Sequence, residues 1–599
     1  MIRWASQTSL RKLVSCLAVF LVTSASAAEL HRSPVDVVID RGAQWLVSAN
    51  SGAGSISLIQ LQSAKVVHEL PAGTKPAALA LLPKDQGVAV VDSFDGKLRV
   101  FHLNSSKNKL VLGSEVVVGG VPAGIVVGQN QVAYISQVGF SRIVRVNLAT
   151  GKITGRLKVG RWPRGVQLTH DQKSVLVSCS GDAGIWIVDV KSFRVKRVAR
   201  LAGINLGQIA VGKNDRYAYF PWTEYGRHPI TRVTIGLGQV LGNRVGRIRL
   251  QPASEELAKP ERIALDPPGA AAADPIATAV TPDGSSLAIS LSGVGKVLVL
   301  RLPDLKFTSY GGSSQFLDRR VGFNTDRYKF YIVKGRPMGL KIDSHGNTAF
   351  VANYLEDRID CIDLRRRVKL PPIPLGRPLK EATWRKGERV FYDAGRSMES
   401  WYSCHTCHYD GGSNSTAMAT SNDGSPKLFK TVLPLFNVNK TGPFTWHGWQ
   451  KDLSKSIAKS LQDTMQREAP GTSDVSHVVK FLATLKRPPN PYRINGKLSA
   501  SALRGERVFK RAGCVQCHTG KLFTDGQNHD VGLSSSKDKY PTFNTPSLLG
   551  VYQKTHLLHD GRGKSIRQIL TGPHAPERTG AGPIRKKELP DLIEFLKSL

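Results

Sequence analysis

The sequence predicts a multidomain protein, an all-β seven-bladed propeller followed by two small all-α domains. Three observations predict it: short strands of period two that recur at a spacing of about 40–45 residues, a change to helical patterning near residue 376, and a duplication within the C-terminal region. At 599 residues, 41% of them hydrophobic and 22% charged, the chain has apolar material for several cores and is not disordered by composition. The 83 Lys+Arg against 46 Asp+Glu give a net charge of +37, a field that attracts anionic partners.

Residues 1–27 read as a signal peptide. Arg3, Arg11 and Lys12 precede the apolar stretch LVSCLAVFLV, and Ala25-Ser26-Ala27 supplies a small-residue cleavage site. The apolar core is short for a membrane span, so the chain is expected to be periplasmic or otherwise exported and not an integral membrane protein once the signal is removed. Export makes nucleic acid an unsuitable partner, and the basic charge then steers small anions or acidic redox proteins.

The propeller is assigned to residues 29–375. KLRVFHL (Lys97 to Leu103), GIWIVDV (Gly184 to Val190) and RIDCIDL (Arg358 to Leu364) show the strand alternation. Pro34, Pro76, Pro122, Pro163, Gly207, Pro275 and Pro337 open comparable segments, at intervals of 42, 46, 41, 44, 68 and 62 residues. Seven landmarks imply seven four-stranded blades, with insertions around Leu237 to Ala273 and Ser309 to Arg336. Phrases such as VTPDGSSLAIS resemble the YVTN family of propellers, a resemblance that implies fold and not function.

Of seven cysteines, Cys16 lies in the signal, and Cys179 and Cys361 read as small core residues. The other four form two C-x-x-C-H motifs, Cys404 to His408 and Cys514 to His518. Two thiols three positions apart can each add to a haem vinyl group, and the adjacent His is then held beside the iron. Cys404, Cys407, Cys514 and Cys517 are therefore expected to hold two covalent c-type haems, with His408 and His518 as iron ligands. Zinc and dithiol readings of C-x-x-C do not require the following His.

The C-terminal region divides into cytochrome domains at 376–490 and 491–599, joined through KRPPNPYRING (Lys486 to Gly496), whose prolines end a helix. GERVF occurs at Gly387 to Phe391 and Gly505 to Phe509, and the halves close with FLATL and FLKSL. Aligning Lys455-Ser456-Ile457 with Lys564-Ser565-Ile566 places Met465 on His574, 57 and 56 residues beyond their proximal histidines. His408/Met465 and His518/His574 are the expected axial pairs; a Met ligand raises the potential and a second His lowers it. Trp446-His447-Gly448-Trp449 falls on His559-Asp560-Gly561-Arg562 if the first half carries about four extra residues.

GERVF, C-x-x-C-H, TFNTPSLLGVYQKTHLLHDGRGKSI and FLKSL together resemble the diheme cytochrome c peroxidase and MauG family over about Gly376 to Leu599. The resemblance implies a small redox protein as electron donor, reduction of hydrogen peroxide at one haem, Trp446 between the haems, Arg562 as a haem-propionate partner, and an interdomain Ca2+ whose ligands no acidic cluster reveals. Trp449 stands where the first half would carry the matching Arg. Tyr409 to Leu435 contains no His that could serve as a departing ligand, only Met418, and Glu468 is the nearest acid/base for peroxide cleavage. The expectation is an exported peroxidase-like oxidoreductase with Glu468 and Trp446 as catalytic residues. The alternative is a non-catalytic diheme electron-transfer protein whose propeller binds a partner or polymer.

Overall fold

The computed structural model describes residues 30–255, 258–303, 305–307, 314–421, 428–467 and 471–599. The expected signal peptide and Glu468 lie outside the described residues.

Seven antiparallel four-stranded sheets, each made of strands consecutive in sequence, form the first part of the chain. Their first strands begin at Pro34, Pro76, Pro122, Pro163, Ala210, Pro275 and Pro337 and pack on one another in order around the ring. Proline suits that position because it has no N–H to give, and the pairing of Pro34, Pro76, Pro163 and Pro275 is followed at once by a bulge. Alternating apolar residues of neighbouring blades fill seven interblade cores, from the Val47 and Val90 cluster to the Ile39 and Phe350 cluster. Cys179 and Cys361 are buried in two of them.

The last core closes the ring by side-chain packing, since no strand is exchanged between the first and seventh blades. Arg385, from the domain that follows, clasps this seam. It is 1% exposed and donates to Ser33 Oγ (3.1 Å) ahead of blade one and to the Tyr354 carbonyl (2.7 Å) in blade seven, while Glu388 balances its charge at 2.6 Å.

Both long intervals are insertions inside blades. Residues 226–240, with the short helix Arg232–Gly236, separate strands Tyr217–Tyr225 and Leu241–Arg249; residues 302–327 separate Lys296–Arg301 from Tyr328–Ile332. Both start earlier than the spacing suggested, because they interrupt a sheet between strands instead of joining two blades.

Each C-terminal half is closed by two crossing helices, Thr383–Tyr392 on Thr472–Thr484 and Ala500–Arg511 on Leu589–Lys597. The repeated GERVF marks the crossing. A Cβ at Gly387 would overlap the His477 carbonyl, and one at Gly505 the Asp591 carbonyl, so glycine permits the close approach. The motif's Phe meets the Phe of the closing helix in both halves, Phe391 to Phe481 at 5.2 Å and Phe509 to Phe595 at 5.3 Å. Burial of each such ring stabilises by about 1.5–3 kcal/mol.

Candidate functional site

The first C-x-x-C-H motif is seated on the propeller. The Ser403 and Thr406 hydroxyls donate to the two carboxylate oxygens of Asp274 at 2.6 Å each, and Asn205 Nδ2 donates to the Thr406 carbonyl at 2.8 Å. Burial raises the Asp274 carboxyl pKa, and the two hydroxyls oppose that rise. His405, between the cysteines, is 1% exposed, lies 4.4 Å from the Tyr409 ring and 5.1 Å from the Tyr392 ring, and has Arg336 Nη2 3.4 Å from its Nε2. Burial, reinforced by Arg336, pushes His405 down to about 3, so it is neutral at physiological pH. Asp274 and Arg336 each directly precede the proline that opens a blade. The blade-five insertion completes the seat: Ile230, Ile235 and Val240 share one core with Trp401, Cys407 and Met465.

Cys404, Cys407, His408, Trp446, Leu461 and Met465 line one cavity of about 290 Å3. Burial pushes both thiols up to about 12 and His408 down to about 4, giving two protonated thiols beside a neutral imidazole, the protonation state in which His binds metal. Met465 follows the π turn Ser460–Thr464 and is 4% exposed. Such turns are rare and recur at functional sites. Thiols, neutral imidazole and thioether on an apolar wall are a donor set that fits a c-type haem.

At the second motif the His518 and His574 ring centres lie 6.5 Å apart. Two imidazoles bonded to one metal ion from opposite sides have ring centres roughly 6 Å apart, given metal–nitrogen bonds of about 2 Å. His518 Nδ1 donates to the Phe523 carbonyl at 3.2 Å, which leaves Nε2 as the ligating atom, and burial pushes His518 down to about 4. His574 Nδ1 is buried without a partner among the described residues, and burial lowers its pKa too. Cys514 and Cys517 are half-buried, so this motif lies nearer the surface than the first. These residues also fit a haem.

Between the sites the two halves meet through a pair of matching loops. Phe444–Gln450 is closed by Phe444 N–H to the Gln450 carbonyl (2.6 Å), and Leu557–Gly563 by Leu557 N–H to the Gly563 carbonyl (2.8 Å). Thr445 and Gly448 in one loop, and Leu558 and Gly561 in the other, have φ of 70°, 61°, 67° and 76°. Trp446 and His559 hold equivalent places, with ring centres 6.3 Å apart. The Trp446 carbonyl accepts from Asn544 N–H and the His559 carbonyl from Thr431 N–H, an exchange that repeats the symmetry of the loops. Trp446 Nε1 donates to the Thr431 carbonyl at 2.8 Å, which fixes the indole on the wall of the first cavity.

No motif in the sequence marks Asp538. Its side chain is 2% exposed and ion-paired with Lys430; His447 Nε2 and His559 Nε2 lie 3.8 and 3.5 Å from its oxygens, and both imidazoles stack on Phe543. Burial would raise Asp538, but Lys430 and Ser535 hold it down at about 2. His447 Nδ1 also donates to the Thr542 carbonyl at 2.9 Å. Arg562 is exposed and engaged by Asp560, Nε to Oδ2 2.5 Å. No helix among the described residues is long and apolar enough to cross a membrane.

Fold and sites together define a seven-bladed propeller joined to a duplicated pair of C-x-x-C-H domains, and the homologues of the C-terminal part are diheme cytochrome proteins. The chain is 24% identical over 278 residues to hydrazine synthase subunit gamma of Kuenenia stuttgartiensis, covering 37% of this chain and 79% of that one. It is 27% identical over 318 residues to methylamine utilization protein MauG of Methylophilus methylotrophus (42% and 91%), and 23% over 228 residues to cytochrome-c peroxidase IdrP2 of Pseudomonas sp. strain SCT (32% and 60%). Among solved structures, Kuenenia stuttgartiensis hydrazine synthase shares its fold at a TM-score of 0.50 and 19% identity, covering 58% of this chain and 99% of that one. No protein-family model matches the chain.

Proposed function

We propose that this chain is an exported diheme oxidoreductase of the peroxidase type, reduced by a small acidic redox protein and reducing hydrogen peroxide to water. The observation that carries the reading is Trp446, locked by Thr431 at the meeting of two matching loops and lining the cavity of Cys404 and His408. Haems held by Cys404/Cys407 and Cys514/Cys517 would supply one-electron redox chemistry and peroxide binding. The half-buried second motif and the net charge of +37 offer an acidic donor its approach. Asp274, Arg336 and the blade-five insertion exclude water from the first motif, which strengthens every electrostatic effect there. Peroxide, two electrons from the donor and two protons give two waters, and Glu468 is the proposed group that takes the proton from the near oxygen and returns it to the leaving one.

Met465 on the cavity of His408 supports a second reading, an electron carrier in which Met465 and His574 close both irons and no peroxide is turned over. Mixing prereduced holoprotein with one equivalent of peroxide separates the two. Rapid reoxidation with loss of one peroxide per two electrons supports the first reading, and spectra that do not respond overturn it.

A further inference from the structure

The wall of the first cavity carries three cations, Lys430, Arg487 and Lys554, and no carboxylate among the described residues. Lys430 is neutralised by Asp538. Arg487 and Lys554 have no acidic partner among the described residues. Arg487 comes from the segment that joins the two halves; its guanidinium covers the Phe436 ring at 5.0 Å, and its Nε is buried without a hydrogen bond among the described residues. It rests on Gly550, whose φ is 70° and where a Cβ would overlap the guanidinium. Lys554 comes from the second half and is tied to the propeller, its carbonyl accepting from Arg161 Nη1 at 3.2 Å. Burial pushes Lys554 down to about 8, with Arg487 adding to the effect, and Arg487 down to about 10. Two like charges taken out of water beside one another are costly unless an anion joins them.

We propose that Arg487 and Lys554 form the anion-holding pair of the first site and grip the carboxylates of the haem bound there. This rests on the reading of the Cys404–His408 cavity as a haem site. The first half has Trp449 where the second has Arg562, so it brings no cation of its own at that position. A guanidinium can take a carboxylate through two parallel N–H bonds, and an ammonium supplies a compact charge beside it. The grip also joins three parts of the chain: the linker supplies one cation, the second half the other, and Arg161 steadies the second from the propeller.

The test is a spectroelectrochemical titration of the full-length holoprotein and its R487Q, K554Q, R487K and K554R variants. Each charge-removing variant is expected to shift the ferric-to-ferrous ratio of one haem, at fixed applied potential, about tenfold toward ferric, with the other haem unchanged and the charge-keeping variants near wild type. If R487Q and K554Q both leave the two haems as in wild type, the proposal is overturned. It is also overturned if inorganic phosphate shifts that haem in the wild type, because the pair is then open to free anions. Should one variant fail to fold, the other and the phosphate titration decide. Mass spectrometry of the peptide carrying Cys404 and Cys407 separates the two levels: a peptide without haem sinks the reading of the site, whereas a haem-bearing peptide with unmoved potentials sinks only the pair.

Discussion

Met465 and His574 close the same turn in the two halves of the C-terminal region. The Met465 amide donates to the Ser460 carbonyl and the His574 amide to the Ile569 carbonyl, each five residues back, at 3.0 and 2.9 Å. One backbone device therefore presents a thioether in the first site and an imidazole in the second. In the electron-carrier reading Met465→Ala converts one low-spin haem signal to high spin and His574→Ala the other, read by low-temperature EPR of the holoprotein, whereas the peroxidase reading, with an open position at the first haem, expects that change from His574→Ala alone. A spectrum that ignores both substitutions removes these side chains from the ligand set. Loss of the buried Met side chain should also cost about 2–5 kcal/mol of stability.

Trp446→Phe keeps an aromatic ring but removes the donor to the Thr431 carbonyl. A buried carbonyl left without its partner costs about 1–3 kcal/mol, a loss that chemical denaturation will show. Electron exchange between the two haems, followed after flash reduction, should slow. Unchanged exchange would take Trp446 out of the route.

Gly505→Ala should destabilise the second half by about 1–3 kcal/mol, since the added methyl meets the Asp591 carbonyl of the crossing helix. In an exposed helix the same change gains about 0.5–1 kcal/mol, so the sign itself reports the close crossing. Thermal melts of Gly505→Ala and Gly387→Ala should move in the same direction.

The seat of the first motif should weaken in acid. His405 is held neutral, with a pKa pushed down to about 3 from an unfolded value near 6.5, so its contribution is complete above pH 6.5 and is lost as pH falls toward 3. The slope for one such group is about 1.4 kcal/mol per pH unit. Burial sets this value first, Arg336 and Arg164 add to the fall and Asp410, 3.7 Å away, opposes it, while the Tyr392 and Tyr409 rings face the imidazole. His405→Gln should flatten the acid limb of a stability profile between pH 6.5 and 4. A parallel profile would show that His405 does not carry it.

Local, repeated signals were legible in the sequence. Prolines that open the blades, Cys404 to His408 and Cys514 to His518, and the two GERVF segments each express a geometric need within a few residues of chain. The match of Trp446 with His559 was legible as well, although it required a gap. Contacts across the fold were not. Asp274 reaches Ser403 from 129 residues away, Arg336 reaches His405 from 69, and Asp538 gathers Lys430, His447 and His559 from three separate segments. A single Asp or Arg with no repeat and no partner nearby carries no signal of its own. The insertions were visible as long intervals, but their purpose, to pack Ile230 and Ile235 over Cys407, depends on how the propeller and the C-terminal domains meet.

The clasp of Arg385 on Ser33 and Tyr354 makes the ring a dependent structure. Its two ends, packed on one another through the last core, are clasped by a residue encoded after the last blade, so a growing chain has seven finished sheets before it has that clasp. A propeller cut free after Leu375 should breathe at the join between its first and last blades, with faster amide exchange there than at the other six joins. The blades and the C-terminal domains should then unfold as one cooperative object.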